Sequence, residues 1–200
     1  MKSIQFKIYA LLALTGVLVL FASIFSSAQQ QHELAQDTVE SNIKLLADNY
    51  FDSINTMMLT GTMANREILS TKLRSHPNIA DAHIIRSPIV NKIYGPGNAN
   101  QVATNDAERK ALTGTEALFI DNQKSTMTYL KPMFARSDYK GTNCLGCHQA
   151  QEGDVLGVVK ISYSLADIEQ EVSQNTLMNT LLLAAIFISA FSLLAVMFRK

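Results

Sequence analysis

The sequence predicts an α+β domain between two transmembrane helices, on three observations. Long uncharged apolar runs lie near both ends of the 200-residue chain, from Ile8 to Phe25 and from Leu177 to Phe198. Apolar residues at helical spacing follow the first run. Short β-branched segments with alternating polarity come after them. We expect three regions: an N-terminal anchor over 1–28, an exported domain over 29–174 and a C-terminal transmembrane helix over 175–200.

Both apolar runs are long enough to cross a bilayer, with 18 and 22 residues. The second run cannot be a signal peptide because it lies at the end of the sequence. The first run has a rival interpretation as a cleaved signal peptide, since Ser26-Ser27-Ala28 supplies small residues at a cleavage site. We favour an uncleaved anchor, because the run is longer than the apolar part of most signal peptides.

Charge is distributed unevenly along the chain. All 17 acidic residues lie between Glu33 and Glu171. Basic residues precede the first apolar run, and Arg199 and Lys200 follow the second. Positively charged flanks of membrane helices stay in the cytoplasm, so we expect both termini to be cytoplasmic and the net acidic middle to lie outside. An acidic exported domain argues against nucleic acid as a partner.

The exported region is predicted to begin with a long amphipathic helix, from Gln29 to about Leu59. Its apolar residues recur at steps of three or four, and no Pro or Gly interrupts them. We expect this helix to continue directly out of the first membrane helix. Gly61 separates it from a second helix over Thr62–Arg74, which ends before Pro77.

Short strands and short helices are predicted next. Segments rich in β-branched residues indicate strands, and an Asn, Asp or Ser cap followed by helix-forming residues indicates a helix. The predicted strands are 79–86, 116–121, 125–134 and 155–164. The predicted short helices are 89–94 and 105–112, and a final helix begins at Ala166 and runs into the second apolar run.

The stretch before the last predicted strand contains the only two cysteines, Cys144 and Cys147, and His148 follows directly. The pattern C-x-x-C-H is the attachment signature of a c-type haem. Thiols at this spacing can each add to one vinyl group on the same porphyrin edge, and the histidine then lies under the iron as its proximal ligand. The pattern therefore predicts one covalent haem c per chain.

Two other uses of the cysteines are open. A zinc ion needs four ligands, and the remaining histidines form no H-x(3–5)-H pair that would complete the set. A C-x-x-C pair also occurs in thioredoxin-like dithiols. Neither use requires His148, so we favour haem. We find no paired acid and base, phosphate loop or nucleophile arrangement, and we expect that the protein is not an enzyme.

Several stretches within 29–167 occur together in a characteristic order. They are INTMMLTG from Ile54, HIIRSP from His83, YGPG from Tyr94, DAERKAL from Asp106, and Tyr139–His148 followed by Gly153–Gly157. Together with C-x-x-C-H they resemble the periplasmic PAS-like sensor domains with a single c-type haem, found in chemotaxis receptors and as small stand-alone proteins. The resemblance implies a PAS-like fold, a periplasmic domain at a bacterial inner membrane, and homodimers. Attachment of haem c outside the cytoplasm agrees with the predicted topology.

The sixth iron ligand decides the mechanism, because a fixed strong ligand suits electron transfer and a weak or missing one suits gas binding. The resemblance implies a methionine from the end of the long helix, or water, at this position. Met58 is our candidate, with Met57, Met63 and His83 as alternatives. Methionines at helical spacing also occur as ordinary core residues, and histidines in strands are often buried and hydrogen-bonded.

Other side chains are weaker candidates for contact with the haem. Arg86, Lys131 and Arg136 are candidates to pair with its propionates, and each is also explained as a solvated surface charge. Tyr129 and Tyr139 are candidates to pack on the porphyrin.

These features predict a redox or diatomic-gas sensor. A change at the iron would displace the distal ligand and shift the long helix, and the membrane helices would pass that shift on. Only Arg199 and Lys200 follow the second apolar run, so we expect a separate signalling or redox partner. The alternative is a membrane-anchored monohaem cytochrome c that only transfers electrons.

Overall fold

The computed structural model describes residues 2–197. Its helices and strands follow in the order α1 (Lys2–Leu59), α2 (Arg66–Arg74), β1 (Ile79–Arg86), α3 (Pro88–Tyr94), α4 (Asp106–Ala111), β2 (Ala117–Asp121), β3 (Thr126–Phe134), α5 (Leu145–His148), β4 (Val155–Ser164) and α6 (Ala166–Met197). Single 3₁₀ turns lie at Met63–Asn65 and Ala99–Gln101. The prediction of an α+β fold with a long apolar helix at the start and another helix at the end is confirmed.

The long helix α1 is continuous from the first apolar run to Leu59, as predicted. Its buried residues Ile43, Ala47, Tyr50 and Ile54 are spaced by three or four positions and form a core with residues of the sheet. This spacing places them on one face of the helix. The helix therefore holds its last four turns against the sheet through apolar burial.

The four strands form one antiparallel sheet in the order β1-β4-β3-β2. The strand predicted most clearly, β4, lies between β1 and β3. Its β-branched and apolar residues include Val158, Val159 and Ile161, all fully buried. Such a strand is buried on both faces and needs neighbours on both sides, which explains its central position.

The two faces of the sheet carry different layers. Ile84 of β1 pairs with Val159 of β4, and both pack in the core under α1 and α2. The next pair, Ile85 and Val158, packs on the opposite face with residues of α4. Because successive strand residues alternate between faces, His83 belongs to the α4 face.

The loop around the cysteines contains a helical turn, α5, that the sequence analysis did not predict. The Asn143 side chain accepts a hydrogen bond from the Leu145 N–H at 3.0 Å and so initiates the turn. Gln149 has a left-handed conformation with φ of 44° and ends it. Four residues are too few to show a helical period in sequence, and only the local hydrogen bonds define this turn.

The chain divides into two units. Thr38–Ala166 forms one, and the chain ends up to Asp37 and from Asp167 form the other. Two helices are long and apolar enough to cross a bilayer, over Ala10–Leu59 and Ala166–Leu193, which is compatible with a membrane-anchored protein. Arg199 and Lys200, on which the predicted orientation partly depends, lie outside the described residues.

Candidate functional site

A cavity of about 540 Å³ lies within the Thr38–Ala166 unit. Its wall is mostly apolar and is formed by the end of α1, the turn before α2, α2 itself, β1, α3, the 3₁₀ turn at Ala99–Gln101 and the C-x-x-C-H loop. One residue each of β3 and β4 completes it. Pockets that bind small molecules and cofactors have volumes of roughly 300–1,000 Å³ and apolar walls with a few polar groups. The cavity has the size and the character of such a site.

The wall brings together residues that are distant in sequence. Cys144, Cys147 and His148 line it from the loop, and Met58 lines it from the end of α1. Met58 belongs to this wall because it follows Ile54 by one helical turn, on the side of α1 that faces the loop. The three residues of the motif and the favoured sixth ligand, Met58, therefore border one cavity.

The cysteines are positioned by the turn that α5 forms. Cys144 is buried, Cys147 is exposed, and both are free thiols. The Cys144 N–H donates to the Arg136 carbonyl at 2.9 Å, which fastens the turn to the end of β3. The His148 N–H donates to the Cys144 carbonyl at 3.2 Å, so the helical turn sets the direction of the histidine.

His148 is only 8 % exposed, and its Nδ1 is buried without a hydrogen-bond partner among residues 2–197. Burial lowers the pKa of its imidazole, which favours the neutral form. A neutral imidazole is the form that binds metal ions. A buried ring nitrogen without a partner costs free energy unless another group binds, so this side chain fits the proposed ligand role.

The zinc alternative finds no support from the arrangement of side chains. In the described part of the chain, no three or more His, Cys, Asp or Glu side chains are grouped so that they could hold a metal ion. A structural zinc ion takes four such ligands.

Tyr94 and the glycine loop after it connect two parts of the wall. The Tyr94 hydroxyl donates to the Cys147 carbonyl at 2.8 Å, and its ring contacts the His148 ring edge-on at 5.7 Å. The next residue, Gly95, has φ of 77°, and its carbonyl accepts a hydrogen bond from Arg86 Nη1 at 3.2 Å. A Cβ on Gly97 would collide with Gln101 Oε1 and would lie 3.0 Å from the Arg86 side chain, so glycine leaves room for both side chains.

The sixth-ligand candidates differ in position. Met58 and Met63 line the cavity, whereas Met57 packs on the core and is not part of the wall. His83 borders the cavity, but its Nδ1 lies 3.0 Å from the Asp81 carboxylate on the α4 face of the sheet. Met58 and Met63 are thus better placed than His83 to reach a group inside the cavity.

Asp81 holds the His83 ring in this position. Burial alone would raise the pKa of Asp81, but the hydrogen bond with His83 and the charge of Lys160 lower it below its ordinary value. An ionised carboxylate only accepts hydrogen bonds, so His83 Nδ1 is the donor.

The weaker sequence candidates are mostly placed elsewhere. Lys131 forms an ion pair with Asp48, Arg136 is exposed, and neither lines the cavity. Tyr129 is buried in the core, and the Tyr139 hydroxyl donates to Asp52. For Tyr129 and Lys131, the position in β3 decides which face of the sheet the side chain reaches, and the sequence analysis did not assign these faces.

Among the wall residues that the sequence analysis did not name as site residues are Arg66 and Tyr94. Arg66 is the first residue of α2, where the helix dipole disfavours a cation. The sequence analysis begins this helix at Thr62, so the reversed preference at Arg66 is visible only from the helix start that the structure shows. Tyr94 begins the YGPG stretch, but the sequence did not indicate that its side chain contacts the C-x-x-C-H loop.

The loop that carries the cysteines is also bonded to α1. Asp52 accepts hydrogen bonds from the Tyr139 hydroxyl at 2.8 Å and from Lys140 Nζ at 2.6 Å. One turn later, Asn55 Nδ2 donates to Thr142 Oγ1 at 3.0 Å. These bonds fix the start of the loop to the same turns of the helix that carry Met58.

Comparisons with known proteins add no family. A search against protein-family models found no match to the chain, and a search of curated proteins found no matching relative. The resemblance to PAS-like haem c sensor domains is thus carried by the residues themselves and stays a hypothesis.

Proposed function

We propose that this chain is a membrane-anchored c-type haem protein of the bacterial inner membrane, with a periplasmic PAS-like domain that senses redox state or a diatomic gas. The observation that carries the proposal is the cavity wall, which combines Cys144, Cys147 and His148 with Met58 of α1. In this proposal the cysteines hold one haem c in the cavity, His148 is the proximal ligand and Met58 is the distal ligand.

The residues of the cavity fit this group. Two free thiols border the site at the spacing that haem c attachment requires. His148 is neutral, and Met58 offers a soft thioether sulfur suited to iron in a haem. When bound, haem c supplies one-electron redox chemistry and an iron site that diatomic gases can occupy. The chain's own part is to hold the group, to exclude water with apolar residues such as Phe51 and Ile54, and to offer a displaceable sulfur.

The contacts of α1 support a sensing role. Met58 lines the cavity from α1, and Asp52 and Asn55 bond the same helix to the cysteine loop. A shift of Met58 or of the loop therefore acts on α1 directly. Since α1 is continuous with the first apolar run, the shift would be passed to the membrane as a small helix displacement. The receiver in this proposal is a partner copy in a homodimer or a separate signalling protein.

Electron transfer is the second candidate, and the exposure of Cys147 favours it. A haem edge attached at an exposed residue would lie near the surface, where a redox partner could approach. An electron carrier needs a fixed sixth ligand, whereas a sensor needs one that leaves. Lability of the ligand therefore distinguishes the two candidates.

The test is a visible absorption spectrum of the full chain, produced with haem-maturation machinery and purified in detergent. It is recorded oxidised, reduced, and reduced with CO or NO, beside a Cys144→Ala/Cys147→Ala control. We expect covalent haem in the unmodified chain only, and a spectrum that shifts when gas is added.

A chain without covalent haem would refute the proposed cofactor. A six-coordinate spectrum that gas leaves unchanged would refute gas sensing and leave redox sensing or electron transfer.

A further inference from the structure

The cavity wall contains two guanidinium groups, those of Arg66 and Arg86. Both side chains are partly buried, and neither forms an ion pair within residues 2–197. The acidic side chain in the wall is Glu67, and its carboxylate accepts a hydrogen bond from Asn98 at 3.2 Å. Two cations thus share one mostly apolar cavity, and neither forms an ion pair with the Glu67 carboxylate in its wall.

Each guanidinium is held in place by one backbone carbonyl. Arg66 Nη1 donates to the Met63 carbonyl at 3.2 Å, and Arg86 Nη1 donates to the Gly95 carbonyl at 3.2 Å. The remaining donors have no hydrogen-bond partner among the described residues, and Arg66 Nε is buried as well. A buried donor without a partner costs free energy, and a guanidinium that keeps adjacent N–H groups can bind a carboxylate through two parallel hydrogen bonds.

The two charges also act on one another. Burial lowers the pKa of Arg86, and the nearby charge of Arg66 lowers it further. Like charges in one cavity are stabilised when an anion lies between or beside them.

From this geometry we infer that Arg66 and Arg86 form a carboxylate-binding subsite in the cavity wall. The inference rests on the proposed function, where the carboxylates are the two propionates of the haem. The two guanidiniums match the two propionates in number, and the apolar remainder of the wall suits the porphyrin ring. The YGPG loop serves this subsite through Gly95 and Gly97, which hold and accommodate Arg86.

The experiment compares porphyrins with and without free carboxylates. The full chain carries Cys144→Ala/Cys147→Ala, so that porphyrins bind without covalent attachment, and is combined with Arg66→Gln, Arg86→Gln or Arg74→Gln. Arg74 is the matched control because it is an exposed arginine of the same helix as Arg66. The dissociation constants of haemin and of haemin dimethyl ester are measured for each protein.

We expect the protein with Cys144→Ala/Cys147→Ala and both arginines to bind haemin at least about tenfold more tightly than the dimethyl ester. Hydrogen bonds to charged groups are worth about one power of ten or more in affinity. Arg66→Gln and Arg86→Gln should each reduce this preference by about tenfold, and Arg74→Gln should leave it unchanged. An equal preference in all the proteins would overturn the inference.

A second measurement covers the case in which the cysteine variant does not fold. In chains that keep both cysteines, Arg66→Gln and Arg86→Gln should lower the haem reduction potential relative to Arg74→Gln, because a lost nearby cation disfavours the added electron. Potentials equal to that of the control would overturn the inference.

Failure of the proposed function is recognised separately. If the unmodified chain carries no covalent haem and neither porphyrin binds, succinate is titrated into the same proteins by calorimetry. Binding that requires both Arg66 and Arg86 supports the subsite as a site for a free carboxylic acid. An absence of succinate binding overturns it.

Discussion

Two adjacent methionines at the end of α1 differ in what they reach. Met57 and Met58 both pack against the core, but only Met58 also lines the cavity. A helix rotates by about 100° per residue, and the step from Met58 back to Met57 takes the side chain out of the cavity wall. Substitution of Met58 therefore tests the distal ligand, and the same substitution of Met57 is the control.

We predict that Met58→Ala raises the apparent CO affinity of the reduced protein by about tenfold or more. CO binds only the form in which Met58 is off the iron, and a population of about a tenth or less for that form weakens CO binding about tenfold or more. The measurement is a CO titration followed by visible absorption. Met57→Ala is the matched control and should bind CO like the unmodified chain. Equal affinities for the two variants would show that Met58 does not occupy the iron.

At the scale of elements, the cysteine loop depends on α1 for its position. Asp52 bonds two residues of the loop, Tyr139 and Lys140. Burial would raise the pKa of Asp52, but the hydrogen bonds from these two residues lower it, so the carboxylate is ionised at neutral pH. The ion pair with Lys140 is exposed and adds little to stability. Its importance lies in fixing the loop.

We predict that Asp52→Ala accelerates amide hydrogen exchange over 139–142 and leaves exchange in β4 unchanged, because local opening depends on local contacts. Hydrogen exchange followed by mass spectrometry measures this. Asp106→Ala is the control, since it removes an exposed ion-pairing carboxylate from α4 instead. Similar exchange in the two variants would mean that α1 does not hold the loop.

At the scale of the whole domain, a chain of charged groups joins α4 to the sheet. Glu108 lies 2.9 Å from Lys160 Nζ, and Lys160 lies 3.6 Å from Asp81. Burial would raise the pKa of Glu108, but hydrogen bonds from Thr104 and Lys160 lower it to about 2. Because this lies below the ordinary value of 4.5, the carboxylate contributes stability that is complete above about pH 4.5 and is lost as the pH falls towards 2.

We predict that Glu108→Gln lowers the free energy of unfolding by on the order of 3 kcal/mol at neutral pH, because it removes the charged acceptor of the hydrogen bonds from Thr104 and Lys160 and leaves Asp81 alone beside the Lys160 charge. The loss should shrink below pH 4.5, where protonation removes the same interaction from the unmodified domain. Urea unfolding at several pH values measures both effects, with Asp106→Asn as an exposed control on the same helix. A loss that is constant from pH 7 to pH 3 would contradict the prediction.

The order and type of the elements followed from local sequence. Apolar residues at steps of three and four in α1, and alternating residues in β4, mark the face that each element buries. This pattern can be read from the sequence alone. The one-turn helix α5 was not predicted, because its cause is the hydrogen bond at Asn143 and the left-handed Gln149. The register that puts His83 on the α4 face arises from strand pairing, which is a long-range property.

The sequence by itself determined the apolar ends, the α+β pattern and the motif at Cys144, Cys147 and His148, since covalent spacing and hydrophobic period are local quantities. Only the tertiary structure decided that Met58 rather than Met57 reaches the cavity, and that Arg66 shares it with Arg86. These residues are separated along the chain and meet through the packing of α1, α2 and β1. Their meeting depends on the summed burial of the whole core, which no single stretch of sequence contains.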